Sequence, residues 1–177
     1  MIKNFSLPNK MHGREIVLKK NVLEQAEEIF ACINSDRERL KEFMHWVDRT
    51  TTLEDEINFI KTSELFMGKP MRSYGMFRND KYIGNISVLN IDLGKDTCEL
   101  GYWLHRDYEG KGFVSDAISA LEEELFLQGF KRIELAIEAI NVRSVEVAKR
   151  NGYKYESTIH RNMYNIDLEL MIFVKNF

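Results

Sequence analysis

The sequence has few residues that break or cross-link a chain, with 2 prolines, 10 glycines and 2 cysteines among 177 residues. No stretch resembles a linker, so we expect a single domain spanning residues 1–177. No apolar run approaches the roughly 18 to 20 residues that cross a bilayer, and the N-terminus lacks the apolar core of a secretory signal. The distant Cys32 and Cys98 are typical of reduced thiols in a cytoplasmic protein.

The sequence also lacks a large excess of positive or negative charge. The 25 Lys and Arg residues are balanced by 28 Asp and Glu residues, which gives a net charge of -3. Such a balance does not support a nucleic-acid binder that works through bulk positive charge. The 4 histidines are isolated, without partners at metal-ligand spacing, so we expect no metal site.

The first third of the chain alternates between strand and helix patterns. Residues 15–20 predict a short strand, and Asn21 with Glu24 resembles a capping box that opens a helix. A second helix is predicted to begin near Leu53, after three threonines.

The hydrophobic period then changes to that of strands. Residues 71–77, 81–90 and 97–104 predict an antiparallel meander with short turns. After it, the pattern predicts a helix, a strand, a short helix ended by Asn151-Gly152, and two final strands. This order indicates a mixed-sheet α/β or α+β domain.

Residues 99–114, ELGYWLHRDYEGKGFV, are the most informative stretch. A strand ends near Leu104, Gly110 and Gly112 lie in a short loop, and a helix starts at once. Glycines let the backbone approach a ligand, and the unpaired N–H groups of a helix start favour a phosphate. Alone the loop is weak evidence, because short glycine loops usually only turn the chain, and it matches neither a P-loop nor a dinucleotide fingerprint.

Several motifs in one order carry a more specific signal. These are WVDRTTTLED at 46–55, ELGYWL at 99–104, YEGKGF at 108–113, NVRS at 141–144 and RNGY at 150–153. Together they resemble the GNAT superfamily of acyl-CoA-dependent N-acyltransferases, in particular its RimJ/RimL branch. The resemblance implies a GNAT fold, with a mostly antiparallel central sheet splayed at the cofactor site and flanked by helices. It also implies acetyl-CoA as co-substrate, a protein N-terminal amine as acceptor, as in ribosomal-protein acetylation, and a homodimer.

The same resemblance assigns residues to the cofactor. It implies that the loop at residues 109–114 holds the coenzyme A pyrophosphate, that pantetheine runs along the splayed strand end, and that an asparagine bonds the pantetheine arm. The residues so implied are Leu104, His105, Glu109, Gly110, Lys111, Gly112, Phe113, Val114 and Asn141. Family members commonly have Gln or Arg at the position of Glu109, and Ala or Gly at that of Val114.

Acyl transfer needs a polarised thioester carbonyl, a neutral amine and a proton for the departing thiolate. We expect a backbone N–H at a strand bulge near Leu104 to polarise the thioester carbonyl by donating a hydrogen bond to its oxygen. Many GNAT enzymes supply the proton from a Tyr at the position of Ala148, whereas RimL-type members have a serine that Ser144 matches. A purely structural role for Ser144, at a helix start capped by Asn141, remains equally open. Glu99 and Glu138 are the candidate bases.

Three interpretations of the function remain open, and they differ in whether an acceptor is acylated and in what that acceptor is. The preferred one is direct attack by a protein N-terminal amine in a ternary complex, without a covalent enzyme intermediate. The alternatives are a small amine, such as a polyamine or aminoglycoside, and a non-catalytic acyl-CoA-binding module. Four apolar residues are candidates for an acceptor cleft, although core packing is the favoured interpretation: Met44, Trp46, Phe59 and Phe66.

Overall fold

The computed structural model describes residues 5–62, 65–66 and 69–177. The strands are β1 (Lys10–His12), β2 (Val17–Lys20), β3 (Leu65–Phe66), β4 (Lys69–Pro70), β5 (Arg72–Arg78), β6 (Lys81–Asp92), β7 (Thr97–Leu104), β8 (Arg132–Glu138), β9 (Lys154–Met163) and β10 (Ile166–Asn176). The helices are α1 (Ala26–Ser35), α2 (Arg37–Leu40), α3 (Leu53–Thr62), α4 (Phe113–Leu127) and α5 (Val142–Arg150). Short 3-10 turns cover Leu23–Gln25, Val47–Arg49 and Arg106–Tyr108.

An eight-stranded open sheet in the order β1-β2-β5-β6-β7-β8-β10-β9 organises the fold. The predicted meander is confirmed, since β5, β6 and β7 pair antiparallel in sequence order. Only β7 and β8 run parallel within this sheet. The mixed, mostly antiparallel GNAT sheet expected from the sequence is therefore the observed architecture.

The sheet opens between its two central strands. Strand β7 pairs with β8 only from Thr97 to Glu99, whereas its pairing with β6 continues to Leu104. One edge of residues 100–104 therefore pairs with no strand among the described residues, and a V-shaped gap opens there. The expected bulge at Leu104 is wrong, because the β6–β7 register is regular from Leu89 to Gly84 and shifts only between Leu89 and Asp92.

Two hydrophobic clusters cover opposite faces of this sheet, because successive side chains of a strand alternate. Leu104 belongs to the cluster that α4 completes with Phe113 and Leu121. Its neighbour Trp103 belongs to the cluster that α1 and α3 complete, which includes Ile33. The gap between β7 and β8 thus connects the α4 side of the sheet with the α1 and α3 side.

The start of the first helical segment differs from the prediction. Asn21 does not cap it: its backbone N–H still bonds Ser73 as a continuation of β2, and its side chain is buried within 2.9 Å of the Asn85 side chain. The helical turn begins after Val22, whose N–H donates to the Gln25 side chain over 3.1 Å. Asn21 therefore belongs to the sheet and not to the helix. A local capping pattern does not indicate this, because the partners of Asn21 in the sheet are distant in sequence.

Candidate active site

Two cavities meet at the gap in the sheet. The first, of about 830 Å³, lies on the α4 and α5 side against the glycine loop, and we call it the loop cavity. The second, of about 390 Å³, lies on the α1 and α3 side, and we call it the aromatic cavity. Residues that line both cavities mark their junction: Phe43, Met44, Tyr102, Trp103, Asn141 and Ser144.

Backbone forms the wall of the loop cavity beside α4. Gly110 and Gly112 have φ angles of +72° and +80°, which favour glycine, and a Cβ built on either would meet no atom within 4 Å. Gly112 precedes α4, and no side chain caps that helix start. The open backbone and the N-terminal end of a 15-residue helix together fit an anionic group such as a pyrophosphate.

The one acidic residue in the first turn of α4 is turned away from this wall. The Asp116 carboxylate accepts hydrogen bonds of 2.7, 2.7 and 3.1 Å from the backbone N–H groups of Arg14, Glu15 and Ile16. Gly13 makes this contact possible, because a Cβ there would lie 2.5 Å from the carboxylate. Asp116 thus joins the β1–β2 loop to α4 and leaves the helix start open.

Glu109, one of the two residues that depart from the family pattern, lies between two arginines. Its carboxylate accepts a 2.9 Å bond from Arg39 and also bonds Arg143. Arg39 also donates to the backbone carbonyl of Leu104 over 2.7 Å and pairs with the buried Asp36. The negative charge of Glu109 is therefore locally compensated. Sequence reasoning missed Arg39, which lies 70 residues from its partner.

Asp36 anchors this charged group. Burial alone would raise its pKa, but hydrogen bonds from Arg39 and Arg106 hold the pKa of Asp36 below its usual value. Arg106 donates through both its backbone N–H, at 2.9 Å, and its Nε, at 2.5 Å. Asp36 therefore ties the end of α1 to the residues that follow β7.

Two of the predicted cofactor residues do not line either cavity. His105 is buried, with Nε2 3.1 Å from Ser35 Oγ and Nδ1 accepting from the Asp107 N–H. The exposed Lys111 donates to the backbone carbonyl of Asp107 over 2.7 Å. Their side chains stabilise the turn after β7. The other residues predicted for the cofactor line the loop cavity: Leu104, Glu109, Gly110, Gly112, Phe113, Val114 and Asn141.

The start of α5 lies at the junction of the cavities. Asn141 caps this helix, since its side chain accepts from the Ser144 N–H over 3.2 Å. The Tyr102 hydroxyl is buried and has no well-formed hydrogen bond within the described residues. Burial raises the pKa of Tyr102 to about 12, and the neighbouring Ser144 side chain acts in the opposite direction. Capping uses the Ser144 backbone, so its hydroxyl remains available for chemistry.

Aromatic side chains shape the second cavity. The ring centroids of Trp46 and Trp103 are 6.1 Å apart, and those of Tyr82 and Trp103 are 5.9 Å apart. Met44 and Phe59 also line the cavity, and Met44 and Trp46 pack at the same time against the core cluster of α1 and α3, so both interpretations hold for these two residues. The side chain of Phe66 falls outside the described part of the structure.

The two candidate bases line the aromatic cavity, but each has a partner. Glu99 accepts two 3.0 Å bonds from Arg161 and one of 2.8 Å from Asn90. Glu138 lies 2.7 Å from Nε2 of His45. Glu99 is also largely buried, with only 7% of the residue exposed. These partners come from β6, β9 and the segment after α2, so sequence spacing gave no signal for them.

The cysteines are free and lie away from both cavities. Burial raises the pKa of each thiol to about 12, which disfavours a nucleophilic thiolate. Within residues 5–62, 65–66 and 69–177, no cluster of three or more His, Cys, Asp or Glu side chains is placed to hold a metal ion. Among those same residues, no helix has the length and apolarity to cross a membrane.

Comparison with known proteins agrees with this geometry. The family model described as "Acetyltransferase (GNAT) domain" matches residues 15–154. The ribosomal-protein-serine acetyltransferase of Escherichia coli K12 is 26% identical over 133 residues, which cover 74% of each chain. The family match runs from β2 to the start of β9, and it includes the residues that line the loop cavity and most of those that line the aromatic cavity.

Solved structures match over nearly the whole chain. RimL, a ribosomal L7/L12 alpha-N-protein acetyltransferase solved with coenzyme A, has a TM-score of 0.83 at 18% identity and covers 92% of this chain and 94% of its own. MccE, a microcin C7 self-immunity acetyltransferase solved with acetyl-CoA and AMP, has a TM-score of 0.83 at 26% identity and covers 93% of each chain. Because RimL is only 18% identical to this chain, its similarity supports the fold alone.

Proposed function

The chain belongs to the GNAT acetyltransferase family, and from this premise we propose that it acetylates the N-terminal α-amine of a protein. The enzyme is an N-acetyltransferase, and its acyl donor is acetyl-CoA. The observation that carries the proposal is that the two cavities share lining residues at the gap beside residues 100–104. A donor on one side and an amine on the other can meet there directly.

The residues of the loop cavity fit the donor. We assign the pyrophosphate to the backbone of Gly110, Gly112 and the start of α4, which is open and uncapped. The open edge of β7 offers backbone groups to the pantetheine arm, because β8 no longer pairs with it there. Lys111 and His105 contribute through the loop conformation that their side chains stabilise.

The residues at the junction fit the chemistry. Acetyl-CoA supplies the thioester that a neutral amine attacks. The Ser144 hydroxyl donates a hydrogen bond to the developing thiolate, and an N–H on the open edge of β7 stabilises the oxyanion. Glu138 and Glu99, held by His45 and Arg161, are the candidates for accepting the amine proton, directly or through water.

Two candidate acceptors have specific support. A protein α-amine agrees with the name of the Escherichia coli relative, which covers 74% of this chain. A small amine is the second candidate, because MccE was solved in complex with acetyl-CoA and AMP and this chain has an aromatic cavity of about 390 Å³. Cavities of roughly 300 Å³ or more hold small ligands.

Release of the coenzyme A thiol distinguishes these acceptors. Purified protein and acetyl-CoA are mixed with peptides that have a free N-terminus, with the same peptides blocked by acetylation, or with small amines. We expect thiol release with free peptides and background hydrolysis with blocked ones. Release with small amines alone would establish the second candidate. Background rates with every amine, despite acetyl-CoA binding, would contradict both.

Three further properties remain proposals. We propose that residues 1–177 form one domain, since both hydrophobic clusters share the central sheet. We propose a homodimer from the family resemblance, testable by light scattering. We propose a cytoplasmic location, which the two free thiols support because reducing compartments preserve them.

A further inference from the structure

Glu56 occupies a core position of α3 and yet pairs with none of the residues that the structure describes. It lies one turn before the buried Ile60, on the face that packs towards α1. Only 2% of the residue is exposed. Throughout the described part of the chain, no side chain or backbone group forms a hydrogen bond or ion pair with its carboxylate. Buried polar groups in native proteins are nearly always paired, so this exception requires an explanation.

The other two carboxylates of the aromatic cavity are already neutralised. Glu99 is held by Arg161 and Glu138 by His45, as described above. Glu56 lines the same cavity and is the one of these three that no described residue compensates. A buried charge without a counter-ion is costly, and the cost is recovered when a ligand supplies the opposite charge.

The surroundings of Glu56 suit an organic cation. Trp46, Tyr82 and Trp103 line the cavity with it, and the rings of Trp46 and Tyr82 each pack against Trp103. The negative face of an aromatic ring attracts a cation, and this attraction strengthens when the cation is desolvated. Glu56 also interacts electrostatically with Tyr82, the titratable side chain on β6 that packs nearby. A carboxylate among aromatic rings is a combination that binds alkylammonium groups.

We propose that the aromatic cavity binds an ammonium group of the acceptor, with Glu56 as its counter-ion. This inference rests on the proposed N-acetyltransferase function. The nitrogen that attacks the thioester must be neutral, whereas an ionised carboxylate stabilises the charged form of a bound amine. The charge that Glu56 binds therefore belongs to a second basic group. The acceptor class is an amine with one further positive charge, such as a diamine or a peptide with a basic side chain.

A binding experiment tests this site without using catalysis. Trp46 and Trp103 are the 2 tryptophans of the chain, and both line the cavity, so tryptophan fluorescence reports its occupancy. The protein is titrated at pH 8 with n-butylammonium and, separately, with 1-butanol, an uncharged probe of similar size. We expect n-butylammonium to bind at least about tenfold more tightly than 1-butanol.

Two variants on the same helix identify the carboxylate responsible. Glu56→Gln keeps the shape but removes the charge, and we expect it to lose about tenfold or more in n-butylammonium affinity. Glu54→Gln, at an exposed position of the same turn, is the matched control and should bind like the unmodified protein. Unchanged 1-butanol binding in Glu56→Gln shows that the cavity is intact.

Three results would overturn the proposal: equal affinity for the two probes, full n-butylammonium binding by Glu56→Gln, or an equal loss in Glu54→Gln. Thiol release by the unmodified protein is measured in parallel. If amines accelerate release but the probes do not discriminate, only the role of Glu56 fails. If Glu56 binds the cation but no amine is acetylated, the proposed acceptor chemistry fails.

Discussion

The loop cavity and the aromatic cavity meet at Tyr102 and Ser144, but different parts of the chain build them. The wall of the loop cavity beside α4 is backbone, with two glycines in a left-handed conformation and an uncapped helix start. The aromatic cavity is made of side chains from α1, α3, β6, β7 and later strands. A short sequence motif is enough to form a site made of backbone groups, whereas a site made of side chains forms only when distant parts of the chain pack together.

The difference has a functional consequence. Every acetyl-CoA-dependent relative binds the same donor, and backbone groups suffice for its pyrophosphate. Acceptors differ, and side chains can change without altering the fold. We therefore expect variants in the loop cavity to affect the donor and variants in the aromatic cavity to affect the acceptor. The following predictions test this separation in order of decreasing effect.

Gly112→Asp should produce the largest effect. It places a carboxylate at the start of α4, where the phosphates are proposed to lie, and should abolish the rise in melting temperature that acetyl-CoA causes. Gly112→Ala is the control, because it introduces the same backbone strain at φ +80° without the charge. A full acetyl-CoA shift in the Asp variant would place the pyrophosphate elsewhere.

Glu56→Gln should change the pH dependence of stability. Burial raises the pKa of Glu56 from its ordinary 4.5 to about 7, so between these values the folded protein retains a proton that the unfolded chain loses. Stability therefore falls as pH rises through this window, by up to roughly 3 kcal/mol from this group. Denaturant unfolding from pH 4.5 to 8 measures it. The Gln variant should lack this fall, whereas Glu54→Gln should keep it; identical profiles in all three proteins would refute the assignment.

Ser144→Ala should lower turnover by about 10²-fold while leaving acetyl-CoA affinity nearly unchanged, if the hydroxyl acts on the thiolate. The capping bond should survive, because it uses the backbone N–H of residue 144, which alanine retains. Asn141→Ala is the complementary variant and should cost about 1 kcal/mol of stability. Unchanged turnover in Ser144→Ala would leave the serine without a catalytic role.

Glu109→Gln should have the smallest effect. Removing this carboxylate frees Arg39 and Arg143 to attract the phosphates, so acetyl-CoA affinity should rise by about fivefold, or roughly 1 kcal/mol. Calorimetry at low and high salt measures the gain, which screening should reduce. Glu109→Asp keeps the charge and should bind like the unmodified protein. Equal affinity in the Gln variant would mean that Glu109 and the phosphates do not interact.

The fold was predictable because its signals are local or repeat along the chain. The three meander strands and α5 follow from hydrophobic period and turn residues, and the structure gives β7 and its neighbours close to the predicted bounds. Asn21 shows the limit of such signals. Its capping pattern is local, but its hydrogen bonds to Ser73 and Asn85 come from strands more than 50 residues away.

The candidate site was most predictable where it is formed by short motifs. Gly110, Gly112 and Asn141 lie in recognisable motifs and line the loop cavity. Arg39 and Glu56 carry no motif, since an arginine or a glutamate on a helix is ordinarily exposed. Only the tertiary packing of α2 and α3 shows that Arg39 pairs with Glu109 and that Glu56 is buried without a hydrogen bond or ion pair from any described residue.

Calorimetric titration with acetyl-CoA of the unmodified protein, Gly112→Asp and Glu56→Gln tests the central claim most directly: that the backbone loop binds the donor and the aromatic cavity serves the acceptor. The account predicts that Gly112→Asp loses acetyl-CoA binding, whereas Glu56→Gln binds it with the affinity of the unmodified protein. Loss of acetyl-CoA affinity in Glu56→Gln, or its retention in Gly112→Asp, would contradict the separation of the two sites.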